Sequence, residues 1–150
     1  MSIYHIISGN YPACSSCDYA CLKPGLRCPM QSKYRDEVMK AVMNSDLTYF
    51  VIPDFCGGPN GNFYEFNERS VGFFKGNCEK LSKYMAARKK FIIVSNTESD
   101  AFKAAMRQKT KDEPDVLYLK TNKYKRVSIA GDLMECYEAK IDLQAFINSD

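Results

Sequence analysis

Cys14, Cys17, Cys21 and Cys28 stand within one fifteen-residue stretch with the spacing C-x2-C-x3-C-x6-C, four of the seven cysteines in the chain. Their neighbours Ser15, Ser16, Asp18, Lys23, Pro24 and Gly25 offer no apolar surroundings, so core packing does not account for them. Sulfurs this close in sequence serve as metal ligands, as partners in redox chemistry, or remain as a relic of a protein that used them so. By ligand type alone an iron–sulfur cluster and a tetrahedral zinc site are both open, and the spacing does not choose between them.

The remaining chemical inventory is sparse. His5 is the only histidine and lies in an apolar run, where a packed or hydrogen-bonded sheet residue is the ordinary reading and a general base the exceptional one. Cys56 reads as a small loop residue or a reactive thiol, and Cys78 and Cys136 as helix residues without a role. The chain has no Ser/His/Asp triad pattern, no His-Glu-x-x-His and no P-loop lysine, which leaves hydrolase and nucleoside-triphosphatase readings without support. A net charge of +3 spread over scattered lysines does not make a nucleic-acid face, and the basic run at residues 120–126 reads as a solvated turn. No stretch approaches the ~20 apolar residues of a membrane span, and the first residues lack the basic start and apolar centre of a signal peptide. These features predict a soluble cytoplasmic protein with no membrane partner. Disulfides are rare in that compartment, so clustered cysteines lean toward metal or catalysis.

These groups need a scaffold to position them. With 150 residues, 45% of them hydrophobic and 26% charged, the chain predicts one compact domain over residues 1–150 with a Cys-rich loop at 11–30. Residues 2–8 read as a buried strand ended by Gly9 and Asn10. Val38, Ala41 and Val42 recur at helical spacing from Tyr34, and Asn44 stops the pattern. Residues 47–52 form the clearest strand, apolar without alternation and so expected to be buried on both faces. Helical patterns follow over 63–74 and 78–88, then a strand at 91–94 and a helix capped by Ser99 or Asp100 that runs to about Lys109. Short strands are expected at 116–119 and 127–129, and a last helix over 133–147. Strands alternating with helices predict an α/β sandwich with helices on both sheet faces. In such a sheet ligands lie at the carboxyl ends of the strands. Three loops there carry small or polar residues: Ser8-Gly9-Asn10, the tract from Pro53 to Gly61, and Ser95-Asn96-Thr97.

A particular set of residues extends this reading. The four cysteines are followed by the helix 34–44, Ser45-Asp46, the strand 47–52, Pro53-Asp54-Phe55, the loop 56–62 and Glu68-Arg69. In this order and spacing the chain resembles the flavodoxin-like NAD(P)H-dependent FMN reductases and, within them, the iron–sulfur flavoproteins, over about residues 12–74 and more weakly through 91–94. It departs from them at Phe55, where Tyr is usual, at Tyr64, where Lys is common, at Glu68, which replaces Asp, and at Lys33-Tyr34, where two acids are frequent. Of the family's phosphate-binding stretch only Ser8-Gly9-Asn10 is similar. The resemblance implies a flavodoxin-like three-layer sandwich with a mostly parallel central sheet and one edge βα unit missing, since losing an edge leaves a continuous sheet. It implies FMN held by Ser8, Gly9, Asn10, Pro53, Asp54, Phe55, Cys56, Gly57, Gly58, Asn60, Ser95, Asn96 and Thr97, and a 4Fe-4S cluster on Cys14, Cys17, Cys21 and Cys28, with zinc as the alternative metal. The implied activity is electron transfer with NAD(P)H or a redox protein as partner, in a homo-oligomer. The alternative is a non-enzymatic metal-binding or partner-binding module that has lost FMN.

Overall fold

The computed structural model describes residues 1–6, 14–96, 98–126 and 131–149. The elements in chain order are α1 (Lys33–Asn44), β1 (Thr48–Phe55), β2 (Gly58–Pro59), α2 (Gly61–Glu68), α3 (Ser70–Phe74), α4 (Cys78–Ala86), β3 (Lys89–Ser95), α5 (Asp100–Arg107), β4 (Asp115–Lys120) and α6 (Tyr137–Asn148). By contacts the chain divides into two compact units, one of residues 1–46 and 61–87 and the other of 47–60 and 88–150. Among the described residues no helix is long and apolar enough to cross a membrane.

The second unit holds the sheet, ordered β2-β1-β3-β4. β1, β3 and β4 run parallel, with Phe50 opposite Phe91 and Phe91 opposite Val116. The architecture is therefore α/β with a mostly parallel mixed sheet. Alternation along parallel strands sorts the side chains onto two faces. On one face Ile92 and Leu119 join Leu133, Cys136 and Ala139, with Tyr49, Val94, Leu117, Leu143 and Phe146 packed against them, so α6 covers it. On the other, Phe50 stacks on Phe91 at 5.4 Å, and Phe102 of α5 meets Tyr118 edge-on at 6.4 Å. Ser99 caps α5 by accepting the Phe102 N–H, one of the two caps expected there.

Several expectations are corrected. Residues 2–6, the described part of the expected N-terminal strand, form no strand and are largely exposed. Tyr34 instead donates its hydroxyl to the His5 carbonyl at 3.0 Å and meets the Tyr4 ring edge-on. β1 runs three residues beyond Ile52, through Pro53, and is not buried on both faces, because Val51 is 66% exposed. α6 lies over β3 and β4 and meets β1 at Tyr49, whose hydroxyl donates to the Ile147 carbonyl at 3.2 Å, leaving Val51 bare, whereas β3 is buried along almost its whole length. The helix expected over 63–74 breaks at Arg69 into α2 and α3. The strand candidate at 127–129 lies outside the described residues.

The first unit is helical, with α1 packed on α4 and α3 between α2 and α4. Its core includes Val38, Met39, Val42, Phe63, Phe66, Phe74 and Tyr84, with Phe74 and Tyr84 at 5.1 Å. Ser32 caps α1 on the Arg35 N–H and Asn77 caps α4 on the Lys80 N–H.

Lys90 ties the end of α6 to the sheet. Its buried ammonium donates to the Phe146 carbonyl at 3.0 Å, to Ser149 Oγ at 2.9 Å and to the Ser149 carbonyl, and pairs with Asp115 at 3.4 Å. A cation against the last carbonyls of a helix is favourable, and each charged hydrogen bond adds about 1.5–3 kcal/mol. Lys90→Met is expected to lower unfolding stability by about 2–3 kcal/mol in a urea titration; an unchanged midpoint contradicts this. Lys89 differs in that burial pushes its pKa down to about 8, against about 10.4 in an unfolded chain. Between those values the unfolded chain binds more protons, so this group adds stability as pH rises through 8 toward 10. Measured against Lys89→Met at each pH, the wild type should gain stability across that window; a constant difference contradicts the assignment.

Candidate functional site

The four cysteines belong to the first unit. Cys14–Cys17 form a 3-10 turn in which the Cys17 thiol donates to the Cys14 carbonyl at 3.4 Å. Asp18 and Tyr19, both at positive φ, reverse the chain into a second 3-10 turn, Ala20–Leu22. Cys21 and Cys28 are buried, while Cys14 and Cys17 are half-buried. The loop is fastened from α3 and its flanks. Lys75 donates to the carbonyls of Lys23 and Leu26 at 2.7 and 2.9 Å, and Arg69 Nη1 to the Met30 carbonyl at 3.4 Å.

Gly72 is the floor under Cys28. A Cβ at Gly72 would stand 2.7 Å from the Cys28 Cβ and 3.4 Å from its sulfur, so only glycine lets the loop lie this close. Burial pushes the Cys14 pKa up. Arg69 opposes that rise, and Glu68, Cys21 and Cys28 add to it. Among the described residues no group of three or more His, Cys, Asp or Glu side chains is drawn together closely enough to hold a metal ion.

Two arginines of this unit are sealed from water, Arg35 at 0% and Arg69 at 1% exposure. Arg35 is fully engaged: Nε and Nη2 donate to Asp36 at 3.3 and 2.8 Å, and Nη1 to the Arg69 carbonyl at 2.9 Å. The helix break at Arg69 presents that carbonyl. The Arg69 guanidinium has no such partner set. Its Nε and Nη2 are buried without a hydrogen-bond acceptor among the described residues.

By ligand type the donor set suits iron–sulfur clusters and zinc, and the glycine floor admits the loop, while the thiols of the described residues stand apart from one another. Cys14, Cys17, Cys21 and Cys28 are the residues that would hold it.

The other candidate place lies in the second unit, at the carboxyl ends of β1 and β3. The tract after Ile52 is a strand and a hairpin where an open loop was expected. Asp54 and Phe55 pair with Pro59 and Gly58 across a two-residue turn in which Cys56 and Gly57 both have positive φ, 58° and 83°. That is the signature of a type I′ hairpin. Pro53 pairs with Val94, Cys56 is exposed, and Asn60 follows β2 half-buried. Ser99 donates to the Gly57 carbonyl at 2.6 Å, fixing the hairpin to the start of α5. Ser95 donates to Asp54 Oδ2 at 2.5 Å, while Asp54 Oδ1 is buried without a donor among the described residues. Thr121 donates to the Asn96 side-chain oxygen and its N–H to the Ser95 carbonyl. The structure thus brings Asp54, Gly57, Ser95 and Asn96 to one edge of the sheet. Ser8, Gly9, Asn10 and Thr97 lie outside the described residues.

This edge is acidic. Behind burial, the carboxylates Glu98, Asp54 and Asp100 help to push the Tyr118 hydroxyl pKa up, and of these Glu98 is paired with Lys120 at 3.0 Å. A buried carboxylate oxygen without a donor, with Asp100 in the first turn of α5, repels a phosphate. Ser8, Gly9 and Asn10, the residues expected at the phosphate of FMN, lie outside the described residues, so these carboxylates bear on the ends of β1 and β3 alone.

Residue typing passed over Gly72 and Lys75. Gly72 carried a signal, since a glycine inside an apolar helical run points to close backbone approach. Lys75 carried none, its role being set by carbonyls about fifty positions away. Compared with known proteins, the chain matches no family model, no curated protein and no solved structure.

Replacing Ser95 by Ala would leave both oxygens of the Asp54 carboxylate without the donor seen here. The expected loss is about 1.5–3 kcal/mol of unfolding free energy by chemical denaturation. A change below about 0.5 kcal/mol, ordinary for a surface site, would show that this bond does not hold the strand ends.

Proposed function

We propose that the chain is an electron-transfer protein in which Cys14, Cys17, Cys21 and Cys28 hold an iron–sulfur centre and a redox protein is the partner. The observation that supports this reading is the run of four cysteines, C-x2-C-x3-C-x6-C, on one loop clamped by Lys75 and floored by Gly72. Four sulfurs on so short and polar a loop suit thiolate ligation of a metal. When bound, an iron–sulfur centre supplies one-electron transfer at a potential set by cluster type, charge, hydrogen bonding and exposure.

The fold reading that accompanies this is a flavodoxin-like sandwich shortened on its N-terminal side. It is supported by three parallel strands with α5 and α6 on opposite faces. The reading is proposed without flavin or NAD(P)H, whose phosphates the carboxylates of Asp54 and Asp100 at the strand ends disfavour.

Protein purified without oxygen and supplied with iron and sulfide is expected to be brown, with iron and acid-labile sulfide in about equal amounts. Cys28→Ser should lose most of that iron, and so should Gly72→Val, whose side chain would displace Cys28. A colourless protein without iron overturns the electron-transfer reading. Stoichiometric zinc in its place would mark a structural metal module. Flavin retained through purification would contradict the assignment of the strand ends.

A further inference from the structure

We infer that Cys14 and Cys17 are a redox-active pair, a dithiol that closes to a disulfide by exchange with a small-molecule disulfide of the glutathione type and reopens on reduction. The inference goes beyond the metal reading above and does not need it, because it requires these two sulfurs alone.

The geometry that carries it is local. Cys14–Cys17 is a 3-10 turn whose first and last residues are the two cysteines. In a 3-10 helix the side chains at i and i+3 eclipse, and three steps of about 2.0 Å put their Cα atoms about 6 Å apart. A disulfide spans about 4.4–6.8 Å between Cα atoms, so the backbone already holds the pair within bonding reach. The Cys17 thiol lies back along the turn and donates to the Cys14 carbonyl at 3.4 Å. Rotation about the Cα–Cβ bonds exchanges that contact for one between the sulfurs. The other cysteines are placed differently. Cys21 and Cys28 are buried, and Cys28 is seated on Gly72, where an added Cβ would stand 2.7 Å from its own. Cys56 and Cys78 are exposed, but neither has a cysteine within a turn of it in the sequence. Cys14 and Cys17 are half-buried with Ser16 and Asp18 exposed beside them, so a small disulfide reaches this pair.

The chemistry runs in two exchanges. The thiolate of one cysteine attacks a sulfur of the small disulfide, forming a mixed disulfide and expelling one small thiolate. The thiolate of the other cysteine then attacks the cysteine sulfur of that bond, closes the ring and expels the second. The two cysteine protons pass to the two small thiols. The cysteine pair loses two electrons and the small disulfide gains them. Exposed disulfides are the labile ones, and a pair open to solvent on a loop is of that kind. The same sulfurs are ligands in the metal reading, so a closed disulfide and a loaded centre exclude one another.

The test uses the full wild-type chain, treated with a chelator and equilibrated without oxygen in oxidised glutathione. Remaining thiols are alkylated, and tandem mass spectrometry of the peptide holding residues 14–17 places the link. The expected result is loss of two thiols, a peptide mass two hydrogens lower and no backbone fragment between Cys14 and Cys17. Dithiothreitol should restore both thiols. Cys17→Ser should stop at the mixed disulfide, with one glutathione on Cys14, and Cys14→Ser at the same stage on Cys17. Wild type that keeps these two thiols, carries glutathione on both, or links either of them to Cys21 or Cys28 overturns the inference. Iron and sulfide offered to the reduced chain test the metal reading separately. A chain that closes the disulfide yet takes up no iron defeats that reading and leaves this inference standing.

Discussion

The close seat of the cysteine loop on α3 is the constraint on which the first unit depends. Gly72 leaves room for Cys28, and Lys75 holds the loop by the Lys23 and Leu26 carbonyls. Arg69 is sealed from water, and among the described residues its Nε and Nη2 meet no acceptor. Burial of a charge without its partner costs several kcal/mol. The break between α2 and α3 offers a carbonyl to Arg35, and the glycine at 72 lets Cys28 lie on the helix.

The second unit solves a different problem. Its parallel strands need cover on both faces, which α5 and α6 supply, and Lys90 closes the far end by binding the last carbonyls of α6. At the opposite end of the strands the hydrogen bonds are nearly all internal. Ser95 serves Asp54, Ser99 serves Gly57, and Thr121 serves Asn96. Among the described residues the vacancy left at this edge is an acceptor, Asp54 Oδ1, a charge pattern that suits a donor.

The α/β class, β3, β4, the Ser99 cap and five helical regions, one of which breaks in two at Arg69, were legible from periodicity and capping, because those signals are local. What was not legible depended on partners distant in sequence. The run from Ser2 to Ile6 is apolar enough for a strand, yet a strand exists only when another pairs with it, and here the tyrosines at 4 and 34 meet instead. The lack of alternation in residues 47–52 suggested burial on both sides, but α6 meets this strand at Tyr49 and leaves Val51 bare. Pro53 looked like the end of that strand, and an edge-ward strand tolerates it. Of the site, the cysteine spacing was visible at once. Arg69 was visible only as half of Glu68-Arg69, since that its donors lack acceptors is a property of the folded surroundings.

The most direct test of the central claim is X-ray absorption at the edge of whichever metal copurifies with the chain under anaerobic conditions. The account predicts a shell of four sulfur scatterers at about 2.3 Å, with an iron neighbour beyond it if the centre is a cluster. A metal-free protein, or a first shell of nitrogen and oxygen, would contradict it.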